Sequence, residues 1–437
     1  MVVYRDVVSD REFGFRTRAL HAGGRPDAAT GARAVPIYQS TSFVFEDAAD
    51  AADLFALQKY GTIYTRISNP TTSAFEERMA SLEGGIGAVA TASGQAAEFC
   101  AVSALAGAGD HVVASASLYG GTYTQFDITL RRFGVDVSFV DGTDPDAFAA
   151  AITPETKLLY TEIIANPSGA IADLERLADV ATAHDLPLFV DNTFATPWLC
   201  RPIEWGATIV VESATKFIGG HGTSIGGVIV DSGRFDWGSG RFANMTEPVA
   251  SYNGLRWWDN FGEYAYCTKV RAEQLRDIGA SQSPFNSFLL LQGLETLPQR
   301  MTEHVANAQA IAERLHGDDR VSWVAYAGLP DSPHHGLSLK YLPGGPGAIF
   351  TFGIKGGRQA GSTFIENLEL VSHLANVGDA RTLVIHPAST THQQLSDDEL
   401  TAAGVTPDTI RLSIGLEDLD DIWWDIDKAL AAATESV

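Results

Sequence analysis

Residues 188–216 read LFVDNTFATPWLCRPIEWGATIVVESATK. Two short apolar runs frame this stretch, Leu188–Asp191 and Thr208–Glu212, and each ends on an acidic residue. Continuous apolar runs of this length fit strands buried on both faces better than they fit an amphipathic surface. Lys216 follows the second run directly. A lysine at a strand's carboxyl end can have its pKa lowered and form a Schiff base with an aldehyde. Asp191, closing the first run, can pair with a protonated ring nitrogen and make that ring an electron sink. Taken singly, each residue has a plainer reading. Lys216 also fits a surface loop, and Asp191 a turn or a helix N-cap.

The same pattern extends on both sides. Apolar runs recur at Gly87–Thr91, His111–Ser115, Val135–Val140, Lys157–Ile163 and Gly227–Val230. Helical patterns lie between them at Ala96–Leu105 and Asp173–His184, and Asp144-Pro145 reads as an N-cap followed by proline at the first helical position. Alternating strands and helices predict an α/β fold with a mostly parallel seven-stranded sheet and helices on both faces. Residues 1–60 read as an irregular arm with a short extended piece, Ile37–Phe45, that needs something else to pack against. Residues 61–280 read as the large domain. Residues 281–437 read as a smaller C-terminal α/β domain, with one long helix near Asn286–Leu315, strands near Ala348–Ile354, Leu383–Ile385 and Thr409–Ile414, and helices near 357–370 and 419–433. Ligand sites in such proteins favour the domain cleft and the carboxyl ends of the strands.

Four further motifs carry chemistry. Ser93-Gly94-Gln95 runs from a strand into a helix, where free backbone N–H groups suit a phosphate. Tyr119, in LYGGTY, can stack on a planar ring or donate a proton. Tyr64 and Arg66, in IYTRISNPT, form a possible anion clamp. Arg411, in TIRLSIGLE, suits bidentate recognition of a carboxylate. Their plainer readings are a strand–helix turn, a half-buried tyrosine, a surface turn and a rim salt bridge. The glycine-rich GGHGTSIGG at 219–227 is neither a P-loop nor a dinucleotide fingerprint, because Lys216 precedes the glycines and no G-x-G-x-x-G opens a helix. No G-x-S-x-G elbow occurs. His21, His221, His386 and His392 are scattered without metal-ligand spacing, so no metal is expected.

The net charge of -24 opposes a nucleic-acid or anionic membrane partner. Cys100, Cys200 and Cys267 are isolated, which argues against a disulfide framework, and Cys100 reads as core. Met1–Gly24 shows no signal-peptide pattern, and no apolar run is long enough to span a bilayer. The expectation is a cytoplasmic protein acting on small molecules.

The order YTRISNPT, SGQ, LYGGTY, ANPSG, VDNTF, SATK, PASTTH and RLSIGLE resembles the Cys/Met-metabolism family of pyridoxal 5'-phosphate (PLP) enzymes. The resemblance runs from about Thr17 to near the C-terminus. It implies the PLP-dependent transferase type I fold, with Lys216 carrying the cofactor and moving protons. It implies that Asp191 pairs with the ring nitrogen, Tyr119 stacks on the ring and Asn166 contacts its 3-oxygen side. Ser93, Gly94, Gln95, Ser213 and Thr215 would hold the phosphate, and Arg411 the substrate carboxylate. Tyr64 and Arg66 would reach the phosphate of a neighbouring subunit, so the active sites would be shared within a homotetramer. Within the family, the texture of HAGGRPDAATGARAVPIYQSTSFVF, TKFIGGHGTSIGG, FNSFLLLQGLETLPQRMTEH and NVGDARTLVIHPASTTHQQLS is similar to the sulfhydrylase branch. Extra length falls around Phe235–Ala265. Asn376 stands where many relatives have serine, and is expected to contact substrate. The implied reaction is a transferase γ-replacement of methionine biosynthesis, in which O-acetyl-L-homoserine and sulfide give L-homocysteine and acetate. Methionine or cystathionine γ-lyase and cystathionine γ-synthase chemistry remain alternatives, as does a non-catalytic α/β binding protein.

Overall fold

The computed structural model describes residues 11–390 and 406–435. His392 and the end of the PASTTH motif lie outside them. The larger sheet contains β1 (Gly87–Thr91), β2 (His111–Ser115), β3 (Asp136–Val140), β4 (Thr156–Glu162), β5 (Leu188–Asp191), β6 (Ile209–Glu212) and β7 (Gly227–Asp231), in the order β1-β7-β6-β5-β4-β2-β3. β2 to β6 pair in parallel, while β7 runs antiparallel to both of its neighbours.

Continuous apolar runs are explained by the two faces of this sheet. Successive side chains of a strand point to opposite faces. Leu188 and Val190 of β5 enter one core and Phe189 the other; in β6, Val210 faces one way and Ile209 and Val211 the other. Leu174 and Leu177, from the helix Leu174–Ala183, cover the first face. Ala97, Cys100 and Ala101, from the helix Gly94–Ser103, cover the second. Trp237, Trp257 and Tyr266 close that second core, with the Trp237 and Tyr266 rings stacked at 5.1 Å. The extra length around Phe235–Ala265 therefore seals one face of the sheet.

The smaller sheet holds β8 (Val321–Ala325), β9 (Ile349–Ile354), β10 (Ser372–His373), β11 (Leu383–Ile385) and β12 (Thr409–Ser413), in the order β10-β11-β12-β9-β8. Only β10 and β11 pair in parallel. Its Phe350, Phe352, Ile410 and Leu412 continue the first core without a break.

Three local expectations change. The single helix expected near 286–315 is two helices, Pro284–Glu295 and Leu297–His316. Pro298 sits in the first turn of the second, where a missing N–H is harmless, whereas mid-helix it would break the ladder. The arm is less irregular than its composition suggests. Phe15–His21 is helical, and Asp47 caps the helix Ala48–Phe55 by accepting from the Ala49 and Asp50 N–H groups. Ile37–Phe45 forms no strand, only the bridge Ser42–Tyr64. The β8 strand was not anticipated from sequence at all.

Leu159, central in β4, is fully buried. Leu159→Ala should lower stability by about 2–5 kcal/mol through the cavity it leaves. Chemical denaturation of the holoprotein measures this, and a loss well below that range would mean β4 is not central to the core.

Candidate active site

The parallel strands all deliver their carboxyl ends to one edge of the large sheet, the place where α/β sheets bind ligands. A cavity of about 270 Å³ opens there. Its first wall is the turn from β1 into the helix Gly94–Ser103. Ser93 caps that helix, its Oγ accepting from the Ala96 N–H at 3.1 Å. The Gly94 and Gln95 N–H groups lie in the first turn, where the helix offers them no acceptor. A Cβ on Gly94 would stand 2.6 Å from the Ser213 Cβ, so only glycine lets the two walls meet.

The opposite wall follows β6. The Ser213 N–H donates to Thr193 Oγ1 at 2.8 Å. Thr215 Oγ1 donates to the Gly226 carbonyl at 3.2 Å and accepts from its N–H at 3.1 Å. Lys216 Nζ reaches into the cavity and donates to Asn376 Oδ1 at 2.6 Å. Burial, and then the nearby positive charge of Arg411, hold the Lys216 amine below the usual lysine range. The turn after Lys216 is clamped by Arg300, whose guanidinium donates to the carbonyls of Phe217 (2.7 Å), Ile218 (3.2 Å) and Gly293 (2.8 Å).

The smaller sheet contributes Arg411. Its neighbours Ile410 and Leu412 point into the core, so alternation turns Arg411 toward the cavity. Its Nη1 donates to Asn166 Oδ1 at 3.3 Å and its Nη2 to the Asn376 carbonyl at 3.5 Å.

Asp191, Glu98 and Glu162 also line the cavity. Asp191 Oδ1 accepts from the Thr193 N–H at 2.7 Å. Glu162 accepts from the Tyr119 N–H at 2.6 Å and from the Asn166 N–H at 3.2 Å, so one carboxyl places both residues. Tyr119 is 51% exposed and its ring lies over Gly121, where a Cβ would come within 2.4 Å of a ring carbon. Burial is the leading cause that raises all three acids above the usual carboxylate range.

The structure thus gathers eleven of the thirteen residues singled out from sequence around one cavity. Tyr64 and Arg66 are the exceptions. Arg66 donates to the Arg276 carbonyl and stands 5.5 Å from the Tyr64 ring, on an exposed segment outside the cavity. Sequence reasoning missed Glu98, Glu162, Thr193 and Arg300. An acid inside the otherwise apolar helical run 96–105 was the one readable signal among them.

The site fits an aldehyde cofactor with a phosphate and a basic ring nitrogen. A lysine amine of lowered proton affinity faces the cavity. A glycine-lined cradle with free N–H groups stands at one end, and buried acids await a cationic partner. Among the described residues there is no cluster of His, Cys, Asp and Glu suited to a metal.

These features define an enzyme that works through a lysine-bound aldehyde cofactor. The chain belongs to the Cys/Met metabolism PLP-dependent enzyme family, whose sequence profile matches residues 16–431. Its cofactor is pyridoxal 5'-phosphate. It is 49% identical to the O-acetyl-L-homoserine sulfhydrylase of Leptospira meyeri, covering 96% of this chain and 97% of that one. It is 52% identical to the homocysteine synthase of Schizosaccharomyces pombe, covering 96% and 98%. A crystal structure from Campylobacter jejuni, of a protein assigned as an O-acetylhomoserine (thiol)-lyase, superposes with a TM-score of 0.93 at 38% identity, covering 96% of this chain and 100% of that one. That structure holds N'-pyridoxyl-lysine-5'-monophosphate.

Lys216→Ala is expected to abolish turnover while leaving the far-ultraviolet circular dichroism spectrum unchanged. Substantial residual turnover would remove Lys216 from the centre of the chemistry.

Proposed function

We propose that this chain is a transferase that converts O-acetyl-L-homoserine and sulfide to L-homocysteine and acetate. Relatives of about half identity over nearly the full length carry the names O-acetyl-L-homoserine sulfhydrylase and homocysteine synthase. The geometric observation that carries the reading is Asn376. Its side-chain oxygen meets the Lys216 amine and its carbonyl meets the Arg411 guanidinium. An amine and a carboxylate receptor held by one residue match the two groups on the α-carbon of an amino acid.

The residues then divide the work. Arg411, oriented by Asn166, pairs with the substrate carboxylate. The N–H groups of Gly94 and Gln95, with Ser93, Ser213 and Thr215, hold the cofactor's phosphate. Asp191 would pair with the ring nitrogen, Asn166 would serve the 3-oxygen side, and Tyr119 would cover a ring face. When bound, the cofactor withdraws electrons from the substrate and lets protons leave its Cα and Cβ. Lys216 takes the Cα proton and later returns it, and the proton that leaves Cβ is returned there once sulfide has added. Its lowered proton affinity leaves a larger neutral fraction near pH 7, which favours a general base. Tyr119 donates toward the departing acetate at Cγ, where sulfide adds.

Tyr64 and Arg66 belong, in this reading, to the site of a neighbouring subunit within a homotetramer. Their exposure, outside their own cavity, supports that placement. We assign residues 1–60 to an intersubunit arm, 61–280 to the cofactor domain and 281–437 to the small domain. Three unpaired, buried cysteines support work in the reducing cytoplasm. No helix among the described residues is long and apolar enough to cross a membrane.

Product analysis on PLP-loaded protein tests the reaction. Homocysteine and acetate should form from O-acetyl-L-homoserine only when sulfide is present. Oxobutyrate and ammonia formed equally well without sulfide would instead make the protein a γ-lyase. Shared sites are tested by co-refolding Lys216→Ala with Arg66→Ala, each inactive alone. Hybrid dimers should recover about a quarter of wild-type activity, because half of the dimers are hybrids with one intact site of two. No recovery would place Tyr64 and Arg66 in their own chain's site.

A further inference from the structure

Glu98 lines the cavity yet has no task in the scheme above. It lies in the helix Gly94–Ser103 and is 3% exposed. Gln95 Nε2 donates to its Oε2 at 2.7 Å and Thr122 Oγ1 to its Oε1 at 3.0 Å. Its carboxyl also comes within hydrogen-bonding reach of Asp191, with Tyr160 of β4 beside it and Glu162 close to Asp191. Two carboxylates in contact in a dry site cannot both be ionised, so one proton must remain between them. Asp191 already accepts the Thr193 N–H, which favours its charged form. Both carboxyls accept only neutral donors, and Glu98 is the more deeply buried of the two, which favours the proton there.

We propose that Glu98 is a positioning residue that stays protonated, donates its hydroxyl hydrogen to Asp191, and so leaves one negative charge facing the cofactor's ring nitrogen. The inference rests on the reading that Asp191 partners that nitrogen. Burial and the Asp191 charge push the Glu98 carboxyl in the required direction, well above its usual range. The donor restrains the basicity of Asp191. Without it, the ring proton is drawn toward Asp191 and the ring withdraws electrons less strongly. An ionised Glu98 would instead place two negative charges against one positive nitrogen.

The sign of the pH effect follows from proton counts. Above about pH 5 the unfolded chain has released the Glu98 proton, while the folded chain keeps it. The wild-type apoprotein therefore loses stability as pH rises toward the folded pKa, and Glu98→Gln, a neutral donor of the same shape, does not suffer this loss.

The test uses apoprotein and PLP-loaded protein of wild type, Glu98→Gln, Glu98→Ala and Asp191→Asn. Glu98→Gln should keep the wild-type cofactor absorption band and bind PLP within about twofold. Its apoprotein Tm should gain on wild type steadily between about pH 6 and 9. Glu98→Ala should shift the band and weaken PLP binding by about tenfold, the scale of one lost buried hydrogen bond. A Tm difference between Glu98→Gln and wild type that stays flat with pH would show an ionised Glu98 and overturn the proposal, as would wild-type PLP binding by Glu98→Ala. If Asp191→Asn binds PLP with the wild-type band and affinity, the Asp191 reading fails and this inference falls with it. If Asp191→Asn loses the cofactor while the Glu98 variants behave contrary to expectation, the Glu98 inference alone is lost.

Discussion

Parallel pairing of β5 with β6, with Asp191 opposite Val211, is the constraint on which the site depends. It sets the end of one strand beside the last turn before Lys216. Both strands are buried on both faces, so neither can slide by one residue without exposing Phe189 or Val210 to the wrong core. The packing that stabilises the sheet is thus the same packing that sets the distance between the acid and the amine.

The second sheet completes the site by two devices. Arg300, on the helix Leu297–His316, donates to the carbonyls just beyond Lys216 and fixes the lysine turn. The segment around Asn376 reaches back over that turn: the Ala380 N–H donates to the Gly220 carbonyl at 2.9 Å and the Gly378 N–H to Ser413 Oγ at 3.0 Å. These contacts, together with the bond from Lys216 Nζ to Asn376 Oδ1, hold Asn376 and Arg411 against Lys216. Like charges on Lys216 and Arg411 and buried acids around Asp191 are costly arrangements in a dry cavity. An anionic group beside Arg411 and a cationic group beside Asp191 would offset both costs.

Much of this was legible beforehand. The apolar runs located all seven strands of the large sheet within one or two residues, because strands covered on both faces leave an unbroken hydrophobic record. Lys216, Asp191, Gly94 and Arg411 were readable because each stands at a strand end or alone in an apolar strand. The break at Thr296 was not read, since the helical pattern continues on both sides of Pro298. β8 was missed because its VSWVA is only partly covered and its periodicity is weak. Arg300 looked like any charged residue on a long helix until its carbonyl partners came into view. Glu98 is an acid in an otherwise apolar helix, and the sequence does not name the partner such a residue needs.

By itself the sequence determined the strand and helix periods, the residue types at each strand end, and the order of motifs that marks the family. Those properties are local: they follow from the spacing of apolar side chains and from what each side chain can donate, accept or carry. Only the tertiary structure decided which strand ends meet, that Asn376 touches both Lys216 and Arg411, that Glu98 confronts Asp191, and that Tyr64 and Arg66 stand apart from their own chain's cavity. Such contacts depend on register and on loop paths between residues distant in the chain. They are set by the summed burial of two cores, which no short stretch of sequence encodes.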